Sequence, residues 1–133
     1  MFEAHGNWRY FIEPPTIYIE ISGSFNKEAV TSFIAEVGKE MALLPANSVH
    51  YAIVNLTHFE LVTADSINVA KTYFHAVKDR GYQRVDYIKP NIVVEHLLTM
   101  IWQGSGMDVQ FHADAESYFT LHPEHSHLRK WLK

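Results

Sequence analysis

Apolar residues recur along this 133-residue chain with three different spacings, and each spacing predicts a different kind of element. In TIYIEIS (16–22), Ile17, Ile19 and Ile21 alternate with polar residues, the period of a strand with one face buried. A preceding strand is predicted over Trp8–Ile12, closed by Pro14-Pro15. From Asn26 the period changes. Val30, Phe33, Ile34, Val37, Met41 and Leu44 recur at helical spacing, with Asn26 as amino-terminal cap and Pro45 as stop. YAIVNL (51–56) is apolar on both parities, which predicts a central strand covered on both faces.

The same reading continues to the carboxyl end. Ile67, Ala70, Phe74 and Val77 form one helical face, and Gly81 falls where a carboxyl-terminal cap belongs. A strand is predicted over Gln83–Ile88, then a helix over Ile92–Gln103. That helix is apolar nearly all round and reads as the most buried of the set. Gly104-Ser105-Gly106 ends it, VQFH (109–112) is a short strand, and Asp114 caps a turn of helix at AESYF. Pro123 begins a last helix holding Leu128, Trp131 and Leu132. The predicted order is β-β-α-β-α-β-α-β-α: one α/β domain spanning 1–133, with an amino-terminal hairpin, a mixed, mostly parallel sheet, and 122–133 as a short appended helix or tail.

Composition narrows the classes of function. A 47% hydrophobic content supports a core without metal or disulfide, and the chain has no cysteine, which removes thiol catalysis and zinc–thiolate sites. The net charge of −4 leaves no basic excess for nucleic-acid backbones. No signal peptide is read at the amino terminus, and the apolar run IVVEHLLTMIW (92–102) is too short to span a membrane, so a cytoplasmic protein is expected. Nine histidines make the charge strongly dependent on pH.

The segments IYIEISGSFNKEAV, YAIVNLTHFELVTADSI and DVQFHADAESY together resemble the anti-sigma factor antagonist superfamily, the STAS or SpoIIAA-like domains. The resemblance is one of pattern, covers about residues 8–121, and implies an α/β domain that binds other proteins or small ligands. Members often carry aspartate-leucine-serine after the central strand, then aspartate-serine-serine-glycine at the second helix, where a partner kinase phosphorylates one serine. Here the first element reads Asn55-Leu56-Thr57 and the second Thr63-Ala64-Asp65-Ser66. Counting places the serine pair on Ala64 and Asp65 and the glycine on Ser66, so the usual phosphate acceptor is missing. A slip of one residue restores Asp65-Ser66 but leaves Ile67-Asn68 in place of serine-glycine.

Function is therefore sought in the hinge after the central strand. Thr57, His58, Phe59, Thr63, Asp65 and Ser66 form a candidate surface for a protein partner, at the carboxyl edge of a strand where α/β domains place ligands. The simpler use of Thr63 and Asp65 is as helix cap and favourable first-turn anion. Asp65 would otherwise stand in for a permanently charged serine. The alternative function is a carrier or sensor of a small apolar ligand beside the 92–102 helix, with Val93, Leu97, Met100, Trp102 and Met107 as lining and Leu98 nearby. Core filling or a homodimer contact is the plainer use for these residues.

No catalytic residue, metal ligand or cofactor is predicted. His122, Glu124, His125 and His127 crowd into six residues, but their spacing does not bring two imidazoles onto one helical face at i and i+4. His96 reads as a partly buried histidine bonded to a carbonyl, and His75 as solvated. GSGMD (104–108) follows a helix and lacks the lysine of a phosphate loop, and no G-x-S-x-G turn is present.

Overall fold

The computed structural model describes residues 6–131. Strands β1 (Asn7–Glu13) and β2 (Thr16–Phe25) form the amino-terminal hairpin, antiparallel and in register from Asn7↔Ser22 to Glu13↔Thr16. Helix α1 (Lys27–Met41) follows, then β3 (Tyr51–Asn55), β4 (Phe59–Val62), α2 (Ile67–Asp79), β5 (Arg84–Ile88), α3 (Ile92–Trp102), β6 (Asp108–His112) and α4 (Ala115–Leu121). A 3-10 stretch over Pro123–Trp131 closes the chain; the predicted apolar position Leu132 lies outside the described residues. The sheet runs β1-β2-β3-β5-β6, with all but the opening pair parallel. YAIVNL supplies an interior strand, as its two-sided apolar pattern predicts.

One strand was not predicted. β4 lies inside the segment read as a hinge and pairs in parallel with the far end of β2, Gly23↔Phe59 to Phe25↔Val62. β2 thus serves two partners in succession, β3 along Thr16–Glu20 and β4 beyond Gly23. The register breaks between Gly23 and Ser24, and Gly23 adopts φ +76°, a backbone region that side-chain-bearing residues rarely enter. Its N–H donates to the carbonyl of His58 at 2.9 Å, which fixes the start of β4.

The pleat gives the sheet two unlike faces. Ile17, Ala52, Val54, Val85 and Tyr87 point to one, where Val37 of α1, Val77 of α2 and Leu98 of α3 complete the main core. Tyr18, Ile53 and Ile88 point to the other, covered by Tyr118 and Phe119 of α4 and by Leu128. Within the segment predicted as a short appended helix or tail, Leu128 joins this second core. Three helices begin on side-chain caps: Asn26 accepts from the N–H of Ala29 (2.9 Å), Asn91 from Val94 (2.8 Å) and Asp114 from Ser117 (2.7 Å). Each such cap contributes about 1 kcal/mol. Among the described residues no helix is long and apolar enough to cross a membrane.

Candidate functional site

The hinge is built from the buried end of β3. Asn55, 2% exposed, donates from Nδ2 to Glu20 Oε2 (3.2 Å), and its Oδ1 accepts from both the N–H (3.1 Å) and the hydroxyl (2.6 Å) of Thr57. Glu20 in turn pairs with Arg9 at 3.0 Å, so β1, β2, β3 and the hinge share one polar network. The chain then turns at exposed His58 and enters β4, where Glu60 and Leu61 face solvent. Asn91 ties the hinge to α3, donating from Nδ2 to the carbonyls of Glu60 (2.8 Å) and Phe59 (3.4 Å).

The six residues predicted for partner binding divide in this geometry. His58 and Asp65 are exposed, and Thr57 and Thr63 are half-buried. Phe59 is half-buried in β4 and meets Phe25 edge-on at 5.6 Å, so it also packs within the fold. Ser66 is completely buried, and its hydroxyl donates to the carbonyl of Thr63 at 2.7 Å. It is withdrawn from the surface of the folded chain. The capping prediction also changes. Thr63 caps no amide; its hydroxyl donates to Asp65 Oδ1 (2.5 Å), and a 3-10 turn over Ala64–Ser66 leads into α2.

Sequence reasoning missed the apolar part of this surface. Ile92 and Val93 are 82% and 68% exposed in the first turn of α3, and Leu61 on β4 is 48% exposed. Leu61 and Ile92 each stand one residue from the Asn91–Glu60 hydrogen bond, so the three gather beside the hinge. The 92–102 helix is thus not buried all round: Val94, Leu98, Ile101 and Trp102 face inward, while Ile92, Val93, His96 and Met100 face out. The two histidine readings exchange places. His96 is exposed, and half-buried His75 is the one bonded to a carbonyl, that of Ile101, at 3.0 Å.

The set predicted to line an apolar pocket divides too. A cavity of about 140 Å³ lies between the sheet and α1–α3, and Leu97, Leu98 and Trp102 line it. Val93 and Met100 are exposed, and Met107 packs on the core without lining the cavity. A buried polar pair adjoins the cavity: Trp102 Nε1 donates to the Tyr87 hydroxyl at 2.9 Å, and burial pushes that phenol's pKa well up, so it stays protonated.

The opposite face carries a polar cluster, in which the sequence singled out the 122–127 group but not Arg84, Asp86, His112 or Tyr118. Asp86 is fully buried and accepts from Arg84 Nε and His112 Nε2, both at 2.9 Å. Beside it the Tyr118 hydroxyl meets His125 Nδ1 at 2.6 Å. His122 pairs with Glu124 (3.3 Å) and His127 with Glu13 (2.8 Å). The available signal was the spacing of Arg84 and Asp86, which places both on one strand face opposite Val85 and Tyr87. Among the described residues no group of three or more histidine or carboxylate side chains is arranged to hold a metal ion.

No protein-family model and no curated protein matches the chain. Solved structures do. The anti-sigma factor antagonist SpoIIAA in its unphosphorylated form superposes with a TM-score of 0.61 at 10% identity, over 90% of this chain and 99% of that one. The Bacillus cell-fate determinant SpoIIAA in its phosphorylated form gives 0.60 at 12% identity, over 86% and 99%. A DUF3478-family protein with a SpoIIAA-like fold from Shewanella loihica PV-4 gives 0.62 at 12% identity, over 100% and 99%. The chain has a divergent SpoIIAA-like (STAS) fold.

Proposed function

We propose that this chain is a non-enzymatic regulatory module that binds a protein partner through the hinge and the adjoining start of α3. The observation that supports the reading is the exposure of Leu61, Ile92 and Val93 on two segments joined by the Asn91–Glu60 hydrogen bond, with exposed His58 and Asp65 on the first of them. Contiguous exposed apolar surface flanked by polar groups is the usual mark of a protein contact. Glu60 and Asp65 on the same segment favour a partner with an apolar centre and a basic rim. The phosphorylation seen in a structural neighbour has no counterpart in this reading, because Ala64 lacks a hydroxyl and Ser66 is buried.

Affinity capture from native lysate with the Ile92→Asp/Val93→Asp variant as control tests this. Both side chains are exposed, and carboxylates in a first helical turn favour the helix, so the fold is undisturbed. A protein retained by the native chain and lost with the variant is expected. Equal retention by both would remove the surface from the function.

The second reading, a carrier of an apolar ligand, draws on the cavity under α1–α3. At about 140 Å³ it has room for a group no larger than benzene. Ligand pockets commonly exceed about 300 Å³, which ranks this reading below the first.

A further inference from the structure

A polar hollow lies far from the hinge, at the amino-terminal ends of β2, β3 and β5, whose first residues are Thr16, Tyr51 and Arg84. Its volume is about 370 Å³, within the range of small-molecule sites. Arg84, paired at 2.9 Å with the buried Asp86, is one of its lining residues. Phe11, Tyr51 and the Pro14-Pro15 turn make apolar walls, and His125 closes the far side.

The donors in this hollow are arranged for an acceptor that the protein does not provide. Arg84 uses only Nε on Asp86, and its guanidinium lies 5.5 Å from the centre of the Tyr51 ring. Its two terminal nitrogens meet no acceptor among the described residues. Asp86 accepts only the Nε of Arg84, and its other oxygen accepts from His112. At His125 we assign the Tyr118 hydroxyl as donor to Nδ1, which leaves the ring proton on Nε2. Burial lowers the pKa of this imidazole, with Arg84, His122 and His127 acting in the same direction and Glu124 against them. A neutral ring is therefore the form present near neutral pH, and it contributes an N–H donor without a charge.

We propose that this hollow binds a small organic monocarboxylate with a flat apolar body. The carboxylate takes the free edge of the Arg84 guanidinium, in the two-pronged geometry that this group favours. The body lies against Tyr51 and the prolines. Glu13 and Glu124 stand at the mouth, each bound to an imidazole, and oppose a second negative charge. A dianion such as phosphate is thereby selected against.

The full chain, isotope-labelled, is titrated with benzoate and separately with inorganic phosphate while amide and side-chain N–H resonances are followed. Benzoate is expected to bind one per chain, with saturable shifts at Tyr51, His125 and Arg84 Nε–H. Arg84→Gln/Asp86→Asn removes both charges of the pair together, leaving no orphaned buried carboxylate, and is expected to weaken benzoate about tenfold or more. The wild-type shift map decides alone should that variant fail to fold. The proposal is overturned by the absence of saturable shifts, or by shifts confined to the hinge or the helix-covered core. Undiminished binding by the double variant, or phosphate binding as tightly as benzoate, overturns it equally.

Discussion

β5 serves both faces of the sheet, and the two faces treat it in opposite ways. Val85 and Tyr87 enter a core closed by helices of 15, 13 and 11 residues, where the neighbours are almost all hydrocarbon. Arg84 and Asp86, one residue away on either side, enter a face covered by a seven-residue helix and a 3-10 stretch. The helix-covered face buries enough apolar surface to drive folding. The other face can then carry a buried carboxylate, four histidines and a hollow, groups whose desolvation costs stability. A sheet of this kind separates the work of folding from the placing of polar groups.

The sharpest way to break the contrast is to remove one member of the buried polar group. His112→Leu leaves Asp86 with Arg84 alone and is expected to cost about 3–5 kcal/mol in urea unfolding. Arg84→Met/Asp86→Leu/His112→Leu makes this face resemble the other and is expected to restore native stability or exceed it. On the helix-covered face, Leu98→Ala enlarges an existing cavity and is expected to cost about 3 kcal/mol.

A smaller difference concerns pH. His125 has its folded pKa below the ordinary 6.5, with burial the largest cause. Between those two values the unfolded chain binds more protons than the folded one, so the contribution to stability is present above 6.5 and is lost as pH falls through the folded value. The urea midpoint of the native chain should decline on acidification through that window, and His125→Gln should decline less. The smallest effect belongs to the hinge. Asp65→Ala is expected to change stability by no more than about 0.5 kcal/mol, because the side chain is exposed and accepts from the Thr63 hydroxyl instead of capping an amide.

What the sequence disclosed follows the length over which a pattern persists. The isoleucine alternation in β2 and the helical spacing in α1 run for seven residues or more, and both elements appear where expected. β4 has four residues, and its partner, the far end of β2, lies more than thirty positions earlier, so nothing local marks FELV as a strand. In α3 only Glu95, His96 and Thr99 are polar among eleven residues, too few to fix the helical phase. The sequence therefore reads His96 as partly buried and Val93 and Met100 as pocket lining, whereas all three face solvent. The motif position of Ser66 predicts a surface residue, but in the 3-10 turn before α2 it is buried. The pairing of His125 with Tyr118 and of His127 with Glu13 is not legible in the sequence, because these partners are supplied by tertiary packing.

Hydrogen exchange of the full chain, alone and saturated with a partner captured through the native surface, tests the central claim most directly. Slowed exchange is expected at residues 57–65 and 91–93, the segments joined by the Asn91–Glu60 hydrogen bond, with the amides of β3 and β5 already slow in the free chain. Protection at the 123–131 stretch with none at 57–65 would contradict it.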